Sequence, residues 1–250
     1  MPPPPEPAHA ARVLAFDTST ERLAVGVHAR GESFVVDAEG GAAASTTLLP
    51  HIAALLARAG LAYADLDFIA FGRGPGAFTG LRTACAVAQG LGLGLGRPVL
   101  PIDSLLIVAE DARAQAGAAR VFEVGVAMDA RMSEAYAGRY RWRGGQWQVL
   151  QPPGLFSLPV LGQAWADLRM DALAGSALAA FGERLALPPV AASFAQERDR
   201  AAALLRLALQ AAAAGAGVDA AAALPLYVRD KVALTTHERE AVRAAAAQAP

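Results

Sequence analysis

Two aspartates in matching contexts are the first residues of this chain that could do chemistry. Asp17 ends the apolar run Val13-Leu14-Ala15-Phe16 and precedes Thr18-Ser19-Thr20, while Asp129 ends Val124-Gly125-Val126-Ala127-Met128 and precedes Ala130-Arg131. Carboxylates facing across a cleft can share a divalent cation. Beside them the hydroxyls of Thr18 and Ser19 and the cation of Arg131 could contact a phosphate. The alternative is that each aspartate closes its own turn through its side chain. A second candidate is Phe71-Gly72-Arg73-Gly74-Pro75-Gly76-Ala77-Phe78-Thr79-Gly80-Leu81-Arg82, which leaves a buried strand and enters a helix. Backbone N–H groups and the helix dipole at such a passage could hold an anion. Its spacing fits neither nucleotide fingerprint: no lysine completes a P-loop, and the gap from Gly76 to Gly80 is one residue too long for Gly-x-Gly-x-x-Gly.

Other reactive side chains are sparse. The histidines are His9, His28, His51 and His237, none spaced to share a metal on one helix face, so no metal site is expected. The single cysteine, Cys85, can form neither an internal disulfide nor a thiol cluster and reads as a small core residue. Arg139, Arg141 and Arg143 alternate with Tyr140 and Trp142, which sets three guanidiniums on one strand face. They could meet nucleic-acid phosphates, or simply protect a solvated strand edge. Thr79, Gly80, Thr83, Ala84, Val87, Ala88, Gly90 and Leu91 give the helix after the glycine-rich turn a face of small residues. Each glycine inside a helix costs about 1 kcal/mol relative to alanine. Close packing on the chain's own sheet, or a seam with another subunit, must offset that cost.

The elements that would position these residues follow from apolar periodicity and turn chemistry. Strands at Arg12–Asp17, Leu23–Ala29 and Ser33–Val36 open the fold, with Arg30-Gly31-Glu32 as a hairpin turn. A helix capped by Ser45 runs to Ala59 with Gly60 as its stop, then Phe68–Phe71 is a strand, Phe78–Leu93 a helix and Val99–Ile102 a strand. A helix from Ser104 to Ala116, capped by Asp103, completes βββαβαβα. The pattern then restarts: Val121–Asp129, Glu134–Trp142 and Gln148–Leu150 as strands, Leu158–Leu168 as a helix, Ala172–Gly175 as a strand and Ser193–Ala214 as a long helix. Two copies of strand–Asp–turn–hairpin imply duplicated lobes around a cleft. The expected division is a disordered tail at 1–11, lobes at 12–104 and 105–231, and a frayed tail at 232–250, with the helix near 193–214 able to pack back on the first lobe.

Composition sets outer limits. The chain has 250 residues, 54% hydrophobic and only 6% aromatic, so the core must be built from small aliphatic groups. Lys+Arg 22 against Asp+Glu 23 leaves a net charge of -1, which excludes a binder that works by bulk positive charge. The proline-rich start lacks the basic and apolar regions of a signal peptide, and no apolar run reaches bilayer length, so a soluble cytoplasmic protein with no membrane contact is expected.

Ala15-Phe16-Asp17-Thr18-Ser19-Thr20, the Gly72–Arg82 block, Ala127-Met128-Asp129-Ala130-Arg131-Met132-Ser133-Glu134-Ala135-Tyr136 and Pro225-Leu226-Tyr227-Val228-Arg229 together closely resemble the bacterial TsaB family, also called YeaZ. The resemblance covers roughly Arg12 to Lys231 in order. It implies an α/β fold of the two-lobed actin, Hsp70 and sugar-kinase class. It also implies a non-catalytic scaffold that dimerises with the homologous subunit TsaD and works with the ATPase TsaE. Together these install threonylcarbamoyl on the adenosine following the anticodon of tRNA. Alone such a chain forms a homodimer, needs no cofactor, binds ATP or ADP at most weakly in the cleft, and touches tRNA at most indirectly. The implied partner surface combines Leu48, Ile52 and Leu55 of one helix with Phe78, Thr79, Gly80, Thr83, Ala84 and Val87 of the next. A large residue at Gly80 or Ala84 is then expected to abolish association while the monomer stays folded. Many members carry a histidine where this chain has Ala44, which weakens any role for that position. The rival class is an enzyme in its own right, an actin-like ATPase or a glycoprotease-like protein.

Overall fold

The computed structural model describes residues 11–118 and 120–229, so the tails expected at the two ends lie almost entirely outside the described residues. The first lobe runs β1 (Val13–Asp17), β2 (Arg22–Ala29), β3 (Glu32–Glu39), α1 (Ala44–Ala59), β4 (Phe68–Gly74), α2 (Phe78–Leu95), β5 (Val99–Asp103) and α3 (Ser104–Gln115). The second repeats it as β6 (Val121–Asp129), β7 (Glu134–Arg143), β8 (Gln146–Ser157), α4 (Leu158–Trp165), β9 (Ala172–Ala174), α5 (Ala177–Phe181), β10 (Ala192–Phe194) and α6 (Arg200–Ala213). The sheets have the orders β3-β2-β1-β4-β5 and β8-β7-β6-β9-β10, the same arrangement twice. In each, an antiparallel meander is extended by two parallel strands. This is the duplicated, two-lobed actin-like α/β architecture.

Strand β1 shows why the sequence folds this way. It is paired on both edges and buried on both faces, so its residues are continuously apolar up to Asp17. Leu14 and Phe16 face α1 and α2, packing with Leu48, Ile52, Leu55, Ala84 and Ala88. Val13 and Ala15 face the other way, onto Ile107 of α3 and Ala203, Leu204 and Leu207 of α6. Helix α6, the last α-helix among the described residues, therefore closes the first lobe. Helix α3 lies between the sheets, offering Leu105, Val108 and Ala109 to the second lobe and Ile107 to the first. Its fully buried Glu110 accepts hydrogen bonds from Arg113 on its own helix, Arg206 of α6 and Trp147 of β8. That network fixes α3 to both lobes.

Several boundaries differ from expectation. Helix α1 starts at Ala44 with Ala43 as its N-cap, and the hydroxyls of Thr46 and Thr47 bond back to the Ala43 carbonyl, so Ser45 is not the cap. Asp103 makes no side-chain cap either, because Arg73 takes its carboxylate at 2.6 Å. The long helix read from Ser193 begins only at Arg200, capped by Asp199, and the residues before it supply β10. Alanine-rich sequence masked that short strand.

Candidate functional site

The end of β1 delivers Asp17 to a buried polar cluster. Its Oδ1 accepts the Ser19 amide at 2.5 Å, and its Oδ2 accepts the Ser104 hydroxyl at 3.1 Å and a guanidinium N–H of Arg200 at 2.9 Å. Arg200, the first residue of α6, also donates to Ser19 Oγ at 3.3 Å and is ion-paired with Glu197. The Asp17 and Arg200 side chains are 0% and 1% exposed. Burial alone would push the Asp17 carboxyl up, but the Arg200 cation and the Ser19 hydrogen bonds hold it below the usual range. Against desolvation, Glu197 and Asp17 raise the guanidinium, so Arg200 is permanently charged. The carboxylate that could have met a divalent cation is thus already matched by an internal one. Thr18 is also inaccessible, its hydroxyl donating to the Gly80 carbonyl at 2.7 Å.

An interlobe cleft of about 670 Å³ opens above this cluster, walled by Phe78, Leu105, Met128 and Tyr136, with Ser19, Asp129 and Arg131 at its margin. Of the five residues expected to contact phosphate, Ser19, Asp129 and Arg131 line the cleft, and Asp17 and Thr18 do not. Asp129 closes its own turn by accepting the Arg131 amide at 2.7 Å, and the Arg131 guanidinium lies 3.6 Å from its other oxygen. Arg131 also reaches Glu21 across the cleft at 3.5 Å, an exposed pair worth little. Among the described residues no group of three His, Cys, Asp or Glu side chains is placed to hold a metal ion. Arg200 is the residue that sequence reasoning missed; its signal, an Asp-Arg step opening an apolar helix, is too common to single out.

The glycine-rich turn presses against this chain's own first lobe. A Cβ on Gly80 would lie 1.8 Å from the Thr18 carbonyl oxygen, so α2 crosses the β1–β2 turn with no room for a side chain. Ala84 is buried in the same core, as are Leu48, Ile52 and Leu55. These five residues, expected at a partner surface, belong to the interior of the lobe. The geometric reason is that the small-residue face wraps around the helix: Gly80, Ala84 and Ala88 point inward, whereas Thr79, Ala86, Gly90 and Gly94 are exposed and Thr83 and Val87 half-exposed. Phe78 is half-buried, stacked on Tyr227. Leu93 adds an apolar side chain 62% exposed to the outer face. A Cβ on Gly90 or Gly94 would touch nothing within 4 Å, so no contact among the described residues offsets their helix cost.

The arginine stripe is likewise occupied. Glu123, opposite Arg141 in the β6–β7 register, takes Arg139 at 2.6 Å and Arg141 at 2.7 Å. β7 is flanked by β6 and β8, so the stripe does not guard a sheet edge. Arg143 remains exposed, beside a hollow of about 450 Å³ that also carries Arg169, Glu123 and Asp171. Mixed charge makes this a poor polyanion track.

Burial opposes ionisation of Asp17, Glu110 and Glu123, yet their arginine partners, with Ser19 at Asp17, hold all three carboxyls below the ordinary range. Each therefore contributes stability that is complete above its unfolded value, about pH 4, and lost as pH falls through the folded one. Burial pushes Glu197 the other way, a partial offset that grows on acidification. The urea midpoint should fall steeply once the pH drops below about 4; a flat profile would contradict these pairings.

Comparison with known proteins follows the same lines. A family model described as TsaD, tRNA N6-adenosine threonylcarbamoyltransferase, matches residues 38–239. The tRNA threonylcarbamoyladenosine biosynthesis protein TsaB of Haemophilus influenzae is 41% identical over 124 residues, 50% of this chain and 51% of that protein. Its Escherichia coli counterpart is 33% identical over 148 residues, 57% of this chain and 63% of that protein. The matched region thus spans about half to two-thirds of those relatives' length. The structure of YeaZ from Pseudomonas aeruginosa is 36% identical with a TM-score of 0.78, covering 87% of this chain and 99% of that one. A second Pseudomonas aeruginosa structure, described as similar to peptidase YEAZ, is 37% identical with a TM-score of 0.79, covering 88% of this chain and 100% of that one.

Proposed function

Because this chain belongs to the TsaB (YeaZ) family, we propose that it is a non-catalytic subunit of the tRNA threonylcarbamoyladenosine machinery that docks and supports a TsaD-like catalytic subunit. The observation that carries the reading is the pairing of Asp17 with Arg200, a guanidinium seated against the carboxylate that an ATP- or metal-using relative would need free. The cleft keeps its volume, but at its Asp17 end the carboxylate is taken by Arg200. A TsaE-like ATPase completes the assembly, and without partners the chain pairs with itself through the same face. On this reading the isolated chain neither turns over ATP nor cleaves glycoproteins.

Docking falls to the outer face of α2, around Thr79, Thr83, Ala86, Val87, Gly90 and Leu93. Exposed glycines there lower helix stability and allow another backbone to come close, the trade expected of a helix seam. Gly90→Ala should therefore stabilise the monomer by up to about 1 kcal/mol. Gly90→Leu should fold normally yet lose the TsaD-like subunit in calorimetric titration. Undiminished binding by Gly90→Leu would remove the seam from this face.

A further inference from the structure

The motif Pro225-Leu226-Tyr227-Val228-Arg229 belongs to neither sheet nor helix, and nothing in the docking face or the cleft floor explains it. Its segment, Ala223–Arg229, runs from α2 to the far wall of the cleft. On the first lobe it is held by a stripe of α2 residues at helical spacing. Gln89 and Cys85 donate to the Ala223 carbonyl at 2.9 and 3.4 Å, Arg82 donates to the Tyr227 hydroxyl at 3.3 Å, and Phe78 stacks on the Tyr227 ring at 5.0 Å and 12°. The Leu226 amide adds a bond to the Arg73 carbonyl at 2.7 Å. On the second lobe Val228 packs into the core, and Arg229 pairs with Glu134 at 2.7 Å and donates to the Ala130 carbonyl at 2.9 Å. Ala130 and Glu134 bracket the β6–β7 turn, and that turn carries Arg131 over the cleft.

We infer that Ala223–Arg229 is a clasp that couples what sits on α2 to the opening of the interlobe cleft, with Tyr227 and Arg229 as its two anchors. The stripe Phe78, Arg82, Cys85 and Gln89 lies on the flank of the helix whose outer face is Thr79, Thr83, Ala86 and Gly90, so a displacement of α2 is felt at once by the segment. Seven residues fastened at both ends leave no slack to absorb it. Coupling between two sites is reciprocal, so release of either anchor must be felt at the other. That the occupant of α2 is a TsaD-like subunit rests on the function proposed above; the mechanical link does not. Leu224, 68% exposed, and Tyr227, 42% exposed, leave the clasp within reach of whatever covers the helix.

Amide hydrogen exchange on the full chain tests this. The readout is the pair of turn amides on the second lobe, Ala130 bonded to the Glu134 carbonyl and Glu134 bonded to the Arg131 carbonyl. Phe78→Ala, which removes the stack on Tyr227, should speed both at least 10-fold. Leu93→Ala, on the same helix but off the clasp stripe, should leave them unchanged. Should Phe78→Ala fail to fold, Gln89→Ala removes only the bond to Ala223 and should speed both amides about 3-fold. Faster exchange of Leu226 with Ala130 and Glu134 unmoved would overturn the clasp. A second arm adds the TsaD-like subunit: it should slow Ala130 and Glu134 in the wild-type chain, but not in Tyr227→Ala, where only α2 is protected. Protection of α2 with no response at the turn in the wild-type chain would also overturn it. Failure of the subunit to protect α2 at all would refute the docking reading, while the first arm still decides the clasp.

Discussion

Arg200→Met should cost about 3–5 kcal/mol of folding stability, the price usually seen when one partner of a buried ion pair is removed. Asp17, shut off from water, would keep only the Ser19 and Ser104 donors, and the largely buried Glu197 would lose its cation. For a chain of this size the loss corresponds to a fall in melting temperature on the order of 10 °C. The triple change Arg200→Met, Asp17→Asn, Glu197→Gln removes the stranded charges and should recover most of it, because a neutral cluster of similar volume is tolerated. A melting temperature for Arg200→Met within 2 °C of the parent would show that Asp17 is not internally neutralised. The reading of Asp17 as unavailable to a metal ion would then fall.

Gly80→Ala is the second large effect, and it runs against helix propensity. Alanine is the better helix former by about 1 kcal/mol. At this position, however, its methyl group would overlap the Thr18 carbonyl oxygen, 1.8 Å from the site a Cβ must occupy. Helix α2 or the β1–β2 turn would have to shift, breaking the bond from the Thr18 hydroxyl to the Gly80 carbonyl. The loss should exceed the roughly 1–3 kcal/mol of ordinary overpacking. Urea denaturation of Gly80→Ala beside Gly90→Ala gives the sharpest contrast, one strongly destabilised and the other slightly stabilised. Equal midpoints would mean that α2 does not lie on the turn as described.

The same two positions show how much the sequence could reveal. Periodicity located α2 and its small residues, but a stripe of small side chains looks alike whether it meets its own sheet or another subunit. Only three-dimensional placement separates Gly80, pressed on Thr18, from Gly90, open to solvent. The repeated βββαβαβα pattern was legible because strand alternation, hairpin glycines and helix stops such as Gly60, left-handed at φ 64, are local signals. Partners distant in sequence left no such trace. Arg200 lies 183 residues from Asp17, and Glu123 sits 18 residues from Arg141, so neither pairing can be read from spacing. Strand β10 was hidden for a different reason: its three residues are too few to show alternation beside an alanine-rich helix. Asp129 behaved as the turn-closing reading anticipated, since an Asx turn is itself a local contact.

The most direct test is the rate of threonylcarbamoyladenosine formation on tRNA by the reconstituted assembly, with this chain supplied as wild type, Gly90→Leu or Asp129→Asn. A docking subunit predicts that Gly90→Leu drops to the rate seen with the chain omitted, while Asp129→Asn, altered only in the cleft, supports the full rate. Full activity with Gly90→Leu together with a dead Asp129→Asn would contradict the account, placing the chain's contribution in chemistry at the cleft and not in contact through α2.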